Sequence, residues 1–183
     1  MEERPAVARS WLSIRVELVS GHGEAFWPRP GRVFAAARSH TFAQLGEAID
    51  VAFARWDMAH LHMFTLDGGT PLTHTAMWDG EAPEGALDSD LTSLSRLKAG
   101  ERFAYVFDMG DDWAHLCTVG DERIDPMEEV GSVPGRPVPY WGWGDIPDQY
   151  ARRWEGDGEE DAAPKPPDVP FVDLPPILPG WGR

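Results

Sequence analysis

One cysteine, Cys117, stands in 183 residues, so no internal disulfide can staple this chain and its fold must rest on a core. No apolar run approaches the ~20 residues that cross a bilayer. The opening MEERPAVARSWLSIRV has neither the apolar stretch nor the small-residue cleavage site of a signal peptide. These absences predict a soluble, cytoplasmic protein without membrane contact. Cations are also scarce, with 16 Lys and Arg against 31 Asp and Glu and a formal net charge of -15. Nucleic-acid affinity rests largely on Lys and Arg displacing counterions from phosphates, so direct binding to nucleic acid is not expected of so acidic a chain.

A hydrophobic content of 42% suffices for one ordinary core. WLSIRVELV alternates, with Leu12, Ile14, Val16 and Leu18 on one side, as a half-buried strand does. A turn-rich stretch and RVFAAARSH follow, which suggests an antiparallel pair. In TFAQLGEAIDVAFARW, Thr41 and Gln44 stand at capping-box spacing. Phe42, Leu45, Ile49, Ala52, Phe53 and Trp56 then recur every three or four residues, predicting an amphipathic helix of about four turns over 41–56. AHLHMFTL reads as a third strand, LTSLSRLKAGE as a short helix, and ERFAYVFD and WAHLCTV as a hairpin. A brief strand is also expected around Leu72 to Trp78, and DIPDQYARRW suggests a helix capped by Asp145.

The predicted fold is therefore α+β, a mixed sheet with one main helix across one face. Its order of strand, strand, helix, strand, short helix, strand, strand is β-grasp-like. Proline and tryptophan become frequent beyond Gly120, so residues 1–119 are expected to form the core domain and 120–183 a Pro/Trp-rich C-terminal extension wrapping it. Apolar islands such as FVDLPPIL favour wrapping over a loose tail. The tryptophans of YWGWG either plug the sheet face that the helix leaves open or offer a platform to a partner.

Three blocks carry a resemblance: Trp56 with the HLHMF that contains His60 and His62, the segment from Tyr105 to His115, and YWGWGDIPDQY. Together they resemble the bacterial family named after a third open reading frame of an Agrobacterium Ri plasmid, often labelled as TnpR-type or passenger proteins of insertion elements. The resemblance spans roughly residues 10 to 155. It implies a compact α+β domain, association with mobile elements and no accepted active site. Family members often carry cysteines ahead of their last motif, where this chain has PVPYWGWGDIP. A recombinase would need a Ser or Tyr nucleophile ringed by cations at a phosphate, a setting that the chain's acidity argues against.

The stretch FDMGDDWAHLC concentrates the chemistry-bearing residues. Closing the hairpin with Met109, Gly110, Asp111 and Asp112 sets Asp108 opposite Trp113. That register puts Asp108, Val106, Trp113, His115 and Cys117 on one face and leaves Phe103, Tyr105, Phe107, Ala114 and Leu116 on the core side. Asp108, Asp111, Asp112, Trp113 and His115 form the candidate functional cluster. His60 and His62 alternate on a neighbouring strand, so His60, His62, His115 and Asp108 could hold a divalent metal ion for hydrolysis. In the plainer reading Asp108 accepts backbone N–H bonds to close the turn, Gly110 supplies a positive φ, and Trp113 and His115 pack under the C-terminal segment. The functional expectation is an accessory domain that binds a protein partner, with the metal-binding hydrolase as the alternative.

Overall fold

In the computed structural model, residues 11–150 are described. The elements run β1 (Trp11–Gly21), β2 (Glu24–Ala25), β3 (Gly31–Ala37), α1 (Phe42–Ala52), β4 (His62–Thr65), β5 (Pro71–Thr73), β6 (Leu87–Asp88), β7 (Arg102–Phe107), β8 (Trp113–Arg123), α2 (Pro126–Glu129) and β9 (Val138–Trp143). The strands form one sheet of nine in the order β6-β5-β4-β7-β8-β1-β3-β9, with β2 paired to β1. All pairs are antiparallel except β5 with β6, so the sheet is mixed. The α+β class and the helix across one face stand. The β-grasp-like order does not carry over strand for strand, because short β2, β5 and β6 and the C-terminal β9 join the five strands that alternation reveals.

Leu12, Ile14, Val16 and Leu18 of β1 are buried under α1 together with Phe34, Ala36, Phe64, Phe103 and Tyr105. Helix α1 meets them with Phe42, Leu45, Ile49 and Ala52. Both halves of the Thr41–Gln44 capping box form, tying the first turn's free N–H groups. The helix is 11 residues long and so stops a turn short of the expected four. Ala54 adopts a left-handed conformation (φ 58°), and Arg55 N–H donates back to the Asp50 carbonyl, which ends the helix and takes Trp56 out of it.

The short helix expected in LTSLSRLKAGE is reduced to a single 3₁₀ turn, Leu94–Arg96. Its approach is committed elsewhere: Thr92 C=O accepts from Phe42 N–H and Leu94 N–H donates to His40 C=O, pinning the segment to the start of α1. A helix over 145–150 is not formed, and the remainder of DIPDQYARRW lies outside the described residues, as does FVDLPPIL.

The expected boundary at 119/120 falls inside β8, which runs on to Arg123. Residues 140–143 of YWGWG fall in β9, a sheet-edge strand paired with β3. Trp143 lies over Gly31, where a Cβ would come within 2.1 Å of its ring, and Arg15 stacks on it at 4.2 Å. A second small cluster, Trp11, Ala35 and Ala37 with Ile124, Val130, Val138 and Tyr140, covers one end of the face opposite α1.

Candidate functional site

The β7–β8 hairpin closes over five residues, not four. Phe107 pairs with Trp113, Tyr105 with His115 and Phe103 with Cys117. One extra loop residue reverses the facing of a whole strand. Trp113, His115 and Cys117 therefore join Phe103, Tyr105 and Phe107 in the core, while Ala114 and Leu116 turn to the opposite face. The predicted register is corrected accordingly. Positive φ is supplied by Asp108 (60°) and Asp112 (53°), not by Gly110; aspartate tolerates that region better than most residues. Asp108 Oδ1 accepts from the N–H groups of Gly110 (2.9 Å) and Asp111 (3.3 Å), the turn-closing role of the plainer reading.

The other Asp108 oxygen meets His60, whose Nδ1 lies 3.2 Å from Oδ2. The far ring nitrogen, Nε2, is 2.9 Å from the Tyr150 hydroxyl and 3.4 Å from Asp57 Oδ2. Tyr150 O–H donates to Asp57 Oδ2 at 2.9 Å. That bond holds the Asp57 carboxyl below its usual range, while burial and the same bond push the Tyr150 hydroxyl up. Next to it, Gln149 Oε1 accepts from Trp56 N–H and Asp57 N–H, and its amide donates to the Asp57 carbonyl. Trp56 indole N–H donates to Asp148 Oδ1. Asp111 joins at the rim through His22, 3.3 Å away, and Asp112 N–H donates to the Asp108 carbonyl. The cluster thus fastens residues 148–150 to the hairpin turn and to the segment leaving α1.

His62 and His115 go elsewhere. His62 faces the core, where burial and then His74 lower its pKa. His115 is fully buried, and its Nδ1 faces the Tyr105 carbonyl at 3.1 Å. A carbonyl only accepts, so Nδ1 carries the proton and Nε2 is left as an acceptor. Burial, and then the nearby Arg55 charge, push its pKa down to about 3. Of the four predicted metal ligands, His60 and Asp108 touch; among the described residues no group of three or more His, Cys, Asp or Glu is placed to hold a metal ion. Burial raises the Cys117 thiol, leaving it an inert core residue.

Beneath the end of α1 lies a polar group that sequence reading did not find. Tyr105 O–H reaches both carboxyl oxygens of Asp50 at 2.9 Å, passing close to Gly46, where a Cβ would lie 3.2 Å from that hydroxyl. Burial raises the Asp50 carboxyl well above its usual range. Arg55 is 4% exposed and stacks on the Trp113 ring at 3.7 Å. Burial lowers its pKa to about 10 against the opposing pull of Asp50 and Asp148. Asp50 carried one legible signal: it shares the helical face of Phe42, Leu45, Gly46, Ile49 and Phe53, an acid on the core side. Arg55 carried none, since its inward turn depends on the left-handed Ala54.

A sheet covered by one helix, with a bonded His–carboxylate cluster at one end, defines a small α+β domain. The chain belongs to the plasmid pRiA4b ORF-3-like family, whose model matches residues 12–136. No curated protein matches the sequence. The crystal structure of a protein of unknown function from Methanosarcina mazei Go1 is similar at 17% identity and a TM-score of 0.48, over 71% of this chain and 62% of that one. This chain thus matches less than two thirds of that protein's length.

Proposed function

We propose that the chain is an accessory protein-interaction domain that docks a partner through the sheet face opposite α1, at β9. The carrying observation is Trp141, a large aromatic 54% exposed on that face. It sits in a cross-strand row with half-buried Val33, exposed Arg15 and half-buried Thr118. Exposed tryptophans on a rigid strand are favoured interface anchors, because a large apolar area is buried at little entropic cost. The partner that fits is a protein with an apolar pocket rimmed by basic groups, complementary to a chain of net charge -15. The bonded state of His60 and Asp108 supports a fastening role for that cluster over a hydrolytic one. Among the described residues no helix is long and apolar enough to cross a membrane, and the lone buried cysteine suits a reducing cytoplasm.

The test is a photocrosslinking side chain at position 141, used in cells to capture the partner, followed by titration of the purified pair. Trp141→Ala is expected to weaken binding at least ~10-fold with the melting temperature unchanged. Undiminished affinity in that variant contradicts the reading.

A further inference from the structure

The least ordinary feature of the molecule is a cation in its interior. All three guanidinium nitrogens of Arg55 are buried, and among the described residues none has a hydrogen-bond partner. Trp113 Nε1 and His115 Nε2 are buried and unpartnered as well. Buried polar groups are overwhelmingly bonded, and an unpaired buried charge is among the costliest arrangements a fold can hold. Asp50 and Asp148 attract the guanidinium without hydrogen-bonding to it. The three residues belong together: Arg55 stacks on Trp113, and Trp113 and His115 stand two apart on one face of β8. Stacking uses the flat face of the guanidinium and leaves its N–H edges, which are the groups that grip a carboxylate.

The set also has a polarity. Arg55 and the Trp113 indole only donate, whereas His115 Nε2 only accepts, because its Nδ1 proton goes to the Tyr105 carbonyl. An occupant that satisfies all three must carry an anionic acceptor and, a few ångströms away, a hydroxyl donor. We propose that Arg55, Trp113 and His115 form an occluded site for a small hydroxy-carboxylate. Its carboxylate takes the Arg55 edge and the Trp113 N–H, and its hydroxyl donates to His115 Nε2. Ala54 fits this account, since its left-handed backbone is what turns Arg55 inward. Residues 148–150 pack beside the site through Trp56.

The experiment is calorimetric titration of the full chain with sodium glycolate and with sodium acetate at constant ionic strength. Glycolate is expected to bind saturably at one site per chain, and acetate, without the hydroxyl, about 10-fold more weakly. Arg55→Met should abolish binding. Trp113→Phe, a milder change that removes the indole N–H, should weaken it by about 10-fold and serves if the Arg55 variant does not fold. No saturable binding of either acid overturns the proposal, as does retained wild-type affinity in Arg55→Met. Equal affinity for the two acids overturns the role given to His115.

Discussion

Two polar clusters meet at the turn end of the same short hairpin, and they are built on contrary principles. At the turn, His60, Tyr150 and Asp57 are half-buried and Asp108 is buried, and each meets a partner within 3.4 Å. Beneath α1, Arg55, Trp113 and His115 are buried, and each keeps at least one polar atom unbonded. The contrast teaches where to look for chemistry in an acidic, histidine-bearing chain. A bonded cluster is complete in itself, so it fastens; an unbonded one requires something more. Both adjoin β7, which ends one residue before Asp108 and carries the Tyr105–Asp50 bond in its middle.

The comparison can be broken most severely at Trp113, whose ring stacks with both Arg55 and Phe26. Trp113→Ala should cost about 3–5 kcal/mol in urea unfolding, the range for emptying a large buried aromatic.

Acid should then sharpen the contrast through His115. Its pKa is about 3 in the fold against 6.5 when exposed, so between those values the unfolded chain holds a proton that the folded chain does not. Stability is fully present above pH 6.5 and falls as pH drops toward 3, by about 1.4 kcal/mol per pH unit from this group within the window. His62, lowered by burial, adds in the same direction. Urea midpoints at pH 7, 6, 5 and 4 should therefore fall less steeply in His115→Leu than in the wild type.

Smaller effects follow. Tyr105→Phe removes the donor that serves both Asp50 oxygens, and unfolding should be easier by about 1–3 kcal/mol. His60→Gln should lower stability by less than about 1 kcal/mol, as partly exposed pairs do, yet speed amide exchange across 148–150. A large stability loss there, with exchange unchanged, would contradict the fastening role.

Much of the frame was legible: the apolar alternation of β1, the Thr41–Gln44 cap, and the strands flanking the Asp108 turn all follow from local chemistry. The register was not. Alternation tells which residues share a face within one strand, but not which faces of two strands coincide, and one loop residue decided whether Trp113 and His115 lay inside or out. The end of α1 was hidden for a related reason, since no glycine announces a left-handed residue at Ala54. With that turn unseen, nothing in the sequence marked Arg55 as a buried residue. The short strands β2 and β6, two residues each, are too brief for any period to show.

The central claim is that the unbonded cluster is a site and the bonded one a fastening. A crystal structure of the full chain soaked in sodium glycolate tests this most directly. The account predicts a carboxylate on the Arg55 guanidinium with its hydroxyl at His115 Nε2, and His60 unchanged between Asp108 and Tyr150. Arg55 bonded only to water, or directly to Asp50 or Asp148, with no glycolate beside it, would contradict the account.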